Sequence, residues 1–189
     1  VAVLLRNCPE WVMWDQAAMS LGLVTIPLYT DDRPDNVAYI LEEAAVKFLL
    51  VQDAGRWKRL APALPDEGSL ERVVLLEGGK EASKFVRNDE RIRIATGWLP
   101  ESAGDLKRRK DTDPHALASI VYTSGTAGRP KGVMLSHHNM LAVAHGGLTL
   151  LDCYEEDVFL SFLPLSHTFE RTCGYYLPIM AGAKVTYSR

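Results

Sequence analysis

Short apolar runs alternate with helix-like stretches from Val1 to Leu76, and that alternation limits the folds open to this chain. Val1 to Leu5 reads as a buried strand. Glu10 to Ser20 reads as a helix, with Asn7 as its N-cap, Pro9 in the first turn and Gly22 ending it. Leu23 to Tyr29 is strand-like, and Pro27 marks an edge or a bend. Asp32-Arg33-Pro34 opens a second helix through about Ala45, with Val37, Ile40, Leu41 and Ala44 on one face. Phe48 to Val51 reads as a strand, Arg56 to Leu60 as a short helix and Val73 to Leu76 as a strand. Strands separated by helices pair through crossovers, so their partners run parallel. An α/β fold is predicted, with a largely parallel sheet flanked by helices.

Residues 78–114 carry most of the charge runs; Phe85, Ile92, Ile94 and Trp98 support one helix and an irregular segment. Beyond them, Leu117 to Tyr122 is an apolar β-type run and Val133-Met134-Leu135 a short strand. Ser136 is a good N-cap for a helix from His137 to Leu150. Val158 to Leu163 reads as a strand, Ser166 to Met180 as mostly helical up to Gly182, and Ala183 to Tyr187 as a last strand. The chain begins without Met inside an apolar run and stops just after another. Ends of that kind are expected of a piece of a longer protein.

Composition excludes several classes. A net charge of −3 gives no reason to expect nucleic-acid binding. Cys8, Cys153 and Cys173 lack C-x-x-C spacing, which argues against a disulfide framework or zinc ribbon and for a reducing compartment. No apolar run is long enough to span a bilayer.

The run Tyr122-Thr123-Ser124-Gly125-Thr126-Ala127-Gly128-Arg129-Pro130-Lys131-Gly132-Val133 carries the chemistry. Glycines let backbone amides turn toward one point, hydroxyls add donors, and Lys131 adds a full charge. Together they suit clustered phosphate oxygens. It is not a Walker A loop, since Pro130 and Gly132 stand where that pattern needs Gly and Ser or Thr. It is not a dinucleotide fingerprint either, and a strand rather than a helix follows it. Phosphate binding would rest on loop amides, hydroxyls and Lys131, not on a helix dipole. The plain alternative is an ordinary turn-rich hairpin loop.

Thr123 to Gly132 resembles the signature of the adenylate-forming superfamily, T-S-G-T-T-G-x-P-K-G, with Ala127 replacing the second Thr and removing one potential phosphate donor. Val133 to His137 matches the usual continuation. Asn7-Cys8-Pro9-Glu10-Trp11 resembles the N-x-P-E-W segment, and Gly22 to Tyr29 the G-x-V-x-x-P-L-Y stretch. Leu163-Pro164-Leu165-Ser166-His167-Thr168-Phe169-Glu170-Arg171 resembles a segment of long-chain fatty acyl-CoA synthetases, and Gly182-Ala183 the G-A before the next strand. The resemblance covers residues 1–189 as the first part of the large N-terminal AMP-binding domain of an acyl-CoA synthetase.

The resemblance implies that a fatty carboxylate attacks the α-phosphorus of ATP, and that coenzyme A then displaces AMP from the acyl-AMP. Thr123, Ser124, Gly125, Thr126, Ala127, Gly128, Lys131 and Gly132 would line the phosphate site, with Thr123 also a Mg2+ ligand. His167 would sit near the acyl carboxylate and α-phosphate, where a ring N–H stabilises developing charge; the alternative is a packed helix-start histidine. Some relatives place a gating tryptophan where Arg171 stands, so that gate does not carry over. Glu170 and Arg171 are expected to form a local ion pair. Trp11, Trp14 and Met19 are expected in the core, and His137, His138 and His145 at the surface or in caps.

The later Y-G-x-T-E, T-G-D and lysine motifs of such enzymes do not occur in this chain, so the piece alone is expected to be inactive. Alternatives are adenylation of an amino or aryl acid, a non-catalytic relative, or an unrelated ATPase or kinase releasing ADP. The expected location is cytoplasmic. Acidic Asp105, Asp111 and Asp113 favour a solvated loop for Lys107-Arg108-Arg109-Lys110 over contact with the CoA phosphates or a peripheral contact at the inner membrane face.

Overall fold

The computed structural model describes residues 1–100, 102, 113–123 and 129–188. Five strands form a parallel sheet: β1 (Ala2–Leu4), β2 (Ile26–Pro27), β3 (Phe48–Val51), β4 (Arg72–Leu75) and β5 (Ile92–Ile94). Their order is β2-β1-β3-β4-β5. The helical crossovers are α1 (Pro9–Ser20), α2 (Pro34–Glu43), α3 (Ala54–Leu60) and α4 (Lys80–Asn88).

Alternate residues of each strand feed opposite cores, as a period of two requires. Leu49, Val51, Val73 and Leu75 pack with Val37, Ile40 and Leu41 of α2 and Trp57 and Leu60 of α3. Leu50 and Val74 face the other way, toward Trp11 of α1, and Trp14 and Met19 are partly buried against the same cluster. These central strands are fully enclosed, which is why they read as unbroken apolar runs.

The segment expected to be one helix plus irregular chain holds α4 and an additional strand, β5, parallel to β4. A short helical turn, α5 (Ala95–Trp98), follows it. Ile92 is buried while Arg93 and Ile94 are half-exposed, so this edge strand lacks the apolar run of its neighbours.

The hairpin of β6 (Leu117–Thr123) and β7 (Lys131–Ser136) is antiparallel. It joins the parallel sheet at Thr25, whose N–H donates to the Ala118 carbonyl at 2.9 Å and whose carbonyl accepts from Ile120 N–H at 3.0 Å. A strand, not a helix, thus follows the glycine-rich run. Ser136 caps α6 (His137–Leu150) in a reciprocal box with Asn139. A parallel pair, β8 (Val158–Ser161) and β9 (Lys184–Tyr187), closes the chain. Between them run α7 (Thr168–Arg171), a π-helical turn at Thr172–Tyr176, and α8 (Leu177–Ala181), which stops at Gly182.

Two local readings need correction. Asn7 is not the cap of α1. With Pro9 starting the helix, Cys8 takes the cap position, and no side chain caps it. Glu170 and Arg171 are not an ion pair. Arg171 turns inward to Asp15 at 2.5 Å, and both side chains are almost fully enclosed. Glu170 is buried beside the π-helical turn, with its Oε1 lacking a hydrogen-bond donor among the described residues.

Candidate active site

The hairpin stem is fixed to α2 at both ends of the glycine-rich loop. On the entering strand, the Tyr122 hydroxyl donates to the Glu43 carboxylate. Burial first, and that carboxylate second, raise the Tyr122 pKa, so the phenol stays a donor. On the leaving side, the Arg129 guanidinium lies over the Tyr39 ring, 5.2 Å from its centroid. Tyr39 and Glu43 are one turn apart on α2, so one helix face meets both stems.

Gly132 lies directly opposite Tyr122 in the ladder. A Cβ there would stand 2.7 Å from Ile120 Cγ2 and 3.2 Å from the Tyr122 ring, so the glycine lets that ring cross the strand. Thr123 pairs with Lys131 across the hairpin, which puts their side chains on one face. Both are exposed. Ser124, Gly125, Thr126, Ala127 and Gly128 lie outside the described residues, as do Lys107, Arg108, Arg109 and Lys110.

Thr123 and His167 come together on the walls of one cleft of about 510 Å³. Tyr122 and Pro130 bring the hairpin stem to it, and Tyr29, Asp32 and Asn36 line it from the β2–α2 connection and α2. Lys131 and Gly132 are not among its lining residues. The sequence reading missed Asp32 and Asn36 as site residues, because Asp32 reads only as a helix-start signal. The Asp32 Oδ1 accepts from Arg33 N–H and from Asn36 Nδ2, both at 2.8 Å, which holds the carboxylate at the cleft.

His167 stands at a helix start, as one reading of the sequence expects, but its ring is exposed rather than packed. It is the N-cap of α7, and its Nδ1 accepts from Phe169 N–H at 3.1 Å. A nitrogen that accepts carries no proton, so the neutral ring has its N–H at Nε2. The ring is exposed and lines the cleft. Its capping bond therefore presets the tautomer that leaves one donor free.

A second cavity, of about 540 Å³, adjoins the same two segments. Val121 precedes Tyr122, and Thr168 and Phe169 follow His167. Leu135, Met140, Val143, Cys173 and Tyr176 make its wall mostly apolar, and Asn139, Arg171 and Thr172 also line it. Among the described residues no group of three or more His, Cys, Asp or Glu side chains forms a metal cage. His137 is half-buried, and His138 and His145 are exposed on α6. Cys8, Cys153 and Cys173 are free thiols.

Comparison with known proteins bears on the family and the fold. The family of AMP-binding enzymes matches residues 1–189. The peroxisomal long chain acyl-CoA synthetase 6 of Arabidopsis thaliana is 32% identical over 173 residues, covering 90% of this chain and 24% of that protein. Human long-chain-fatty-acid–CoA ligase 1 is 28% identical over 198 residues, covering 99% of this chain and 28% of that protein. The chain thus spans about a quarter of the length of these relatives. Among solved structures, ATP-bound MatB from Rhodopseudomonas palustris superposes with a TM-score of 0.76 at 24% identity, over 100% of this chain and 34% of that one. The anthranilate CoA ligase AuaEII in complex with anthranoyl-AMP also gives 0.76 at 24% identity, over 97% of this chain and 34% of that one. With the family model spanning the whole sequence and a fold to match, this chain belongs to the AMP-binding enzyme family.

Proposed function

We propose that the full-length protein carrying this chain activates a long-chain fatty acid in two steps. A carboxylate oxygen attacks the α-phosphorus of ATP, the α–β anhydride bond breaks, and pyrophosphate leaves. The thiol of coenzyme A then attacks the acyl carbon, its proton is lost, and AMP departs with the mixed-anhydride oxygen. The observation that carries this reading is that both ends of the glycine-rich loop, Thr123 and Pro130, share one cleft with His167. Thr123, Ser124, Gly125, Thr126, Ala127, Gly128, Lys131 and Gly132 are assigned to the triphosphate, with Lys131 countering charge that builds on the departing pyrophosphate. The His167 Nε2–H is assigned to the carboxylate and α-phosphate oxygens.

Magnesium fits the donor chemistry of the cleft. Thr123 and Asp32 offer oxygen, and a cation held mainly by phosphates needs only one or two protein oxygens. Bound there with ATP, it would neutralise phosphate charge. The adjoining apolar cavity supports an alkyl chain over a polar amino-acid side chain. Free, half-buried cysteines support a reducing compartment, and we place the protein in the cytoplasm. The chain alone is assigned no thioester-forming activity.

Carboxylate-dependent ATP–pyrophosphate exchange by the full-length protein tests the reading. Long-chain acids should support exchange, and Lys131→Ala should lower it about 100-fold. Exchange driven instead by amino or aryl acids would replace the substrate class. Hydrolysis to ADP without exchange would remove the reading altogether.

A further inference from the structure

His167 stands exposed between two anchors that both reach back to α1 and its entry. The first is Asn7, half-buried between β1 and α1. Its Nδ2 donates to Ser161 Oγ at 3.0 Å and to the Leu163 carbonyl at 2.6 Å, and its Oδ1 accepts from Leu165 N–H at 2.9 Å. One side-chain amide thus spends both donors and its acceptor on the five residues that lead to His167. The turn continues with His167 N–H donating to the Pro164 carbonyl at 2.8 Å.

The second anchor lies one helical turn past the histidine, where Arg171 N–H donates to the His167 carbonyl at 3.0 Å. The Arg171 guanidinium is 2% exposed. It donates to Asp15 Oδ1 at 2.5 Å, Thr25 Oγ1 at 2.8 Å and Ser119 Oγ at 2.6 Å. It therefore ties α7 to α1, to the start of β2 and to β6 at once. A buried ion pair is a poor source of net stability beside an apolar packing of equal volume. What this pair does supply is direction: three donors in a planar fork, each matched to a different element, accept one placement of α7. Leu165 and Ser166 are buried immediately before the exposed ring, so the backbone enters and leaves His167 through fixed points.

We propose that Asn7, Asp15 and Arg171 are positioning residues for His167. They hold the backbone at 163–171 so that the Nδ1 cap forms and the Nε2–H meets the cleft. This rests on the reading of His167 given above for its chemical consequence, but not for the ordering of the ring.

The test has two arms. In the first, the order of the His167 ring is measured by NMR relaxation of its Cε1–H in the 189-residue chain, without substrate. The order parameter should fall from about 0.85 to below about 0.6 in Asn7→Ala, with the far-ultraviolet circular dichroism unchanged. Asn7→Asp, which keeps the acceptor for Leu165 N–H and loses both donors, should fall between the two and covers the case in which Asn7→Ala does not fold. An unchanged order parameter in a folded variant overturns the proposal whatever the enzyme does. In the second arm, full-length Asn7→Ala should lose about tenfold or more in kcat for exchange, with the KM for ATP within about twofold. In a His167→Ala background the same change should cost nothing further. An equal loss in both backgrounds shows Asn7 acting independently of His167 and overturns the proposal. Exchange unaffected by His167→Ala alone would instead overturn the role given to the histidine, leaving the ordering result to stand by itself.

Discussion

Arg171→Met should be among the most damaging single changes in the chain. The side chains of Asp15 and Arg171 are 0% and 2% exposed, so neither charge has water to fall back on. Among the described residues, removing the guanidinium leaves the buried Asp15 carboxylate with donors from Tyr175 at 3.0 Å and Tyr176 at 3.3 Å alone. It also strips Thr25 Oγ1 and Ser119 Oγ of their charged donor. Breaking a buried pair from one side costs about 3–5 kcal/mol. For a chain of this length that is a fall in Tm on the order of 10 °C. Asp15→Asn should be milder, because the amide keeps the volume and one acceptor. The double change Asp15→Leu/Arg171→Met should recover to within about 2 kcal/mol of the original, since neither charge of the pair is then left buried. Urea unfolding followed by circular dichroism reads all three. The reasoning fails if Arg171→Met costs less than about 1 kcal/mol, or if the double change costs the sum of the two singles.

Other changes follow from the backbone and from burial. Ala45, just past the cap residue of α2, has a φ of 46° in the left-handed region, so Ala45→Gly should stabilise the chain by about 0.5–1 kcal/mol in the same urea assay. A Cβ on Gly174 would clash with Glu170 Oε1 at the π-helical turn, so Gly174→Ala should cost about 1–3 kcal/mol and Glu170→Ala should relieve most of that cost. Burial raises the Cys8 thiol to about 11, with Glu10 adding to the shift. Its alkylation in a Cys153→Ser/Cys173→Ser background should therefore still climb roughly tenfold from pH 9 to pH 10, and a plateau by pH 9 would contradict the burial. The folded chain keeps that proton longer than the unfolded one. The thiol's contribution to stability is thus complete below its ordinary value of 9.0 and declines as pH rises toward 11.

What the sequence carried was local. The N-cap at Ser136, the strand rather than helix after the loop, the stop at Gly182 and the apolar runs of β3 and β4 each depend on neighbours a few residues away. β5 was hidden because an edge strand needs burial on few positions, and Arg93 interrupts the only apolar pair. Asn7 and Arg171 were misassigned for a different reason. Each had a plausible partner nearby, a helix start for one and Glu170 for the other, yet each bonds to residues more than 140 positions away. Nothing in periodicity or spacing reports such partners. The meeting of Thr123 with His167 in one cleft is of the same kind: α7 is tied to β6 through Arg171 and Ser119 Oγ, a bond that no local pattern reports.

The central claim is that a carboxylate attacks the α-phosphorus of ATP in this cleft. It is tested most directly by following oxygen from an 18O-labelled long-chain fatty acid through a turnover of the full-length protein with ATP, Mg2+ and coenzyme A. The account predicts one labelled oxygen in the AMP and none in the pyrophosphate, because the O–P bond made at the α-phosphorus survives while coenzyme A breaks the acyl C–O bond. Label in inorganic phosphate, with ADP as the nucleotide product, would mean attack at the γ-phosphorus and would contradict it.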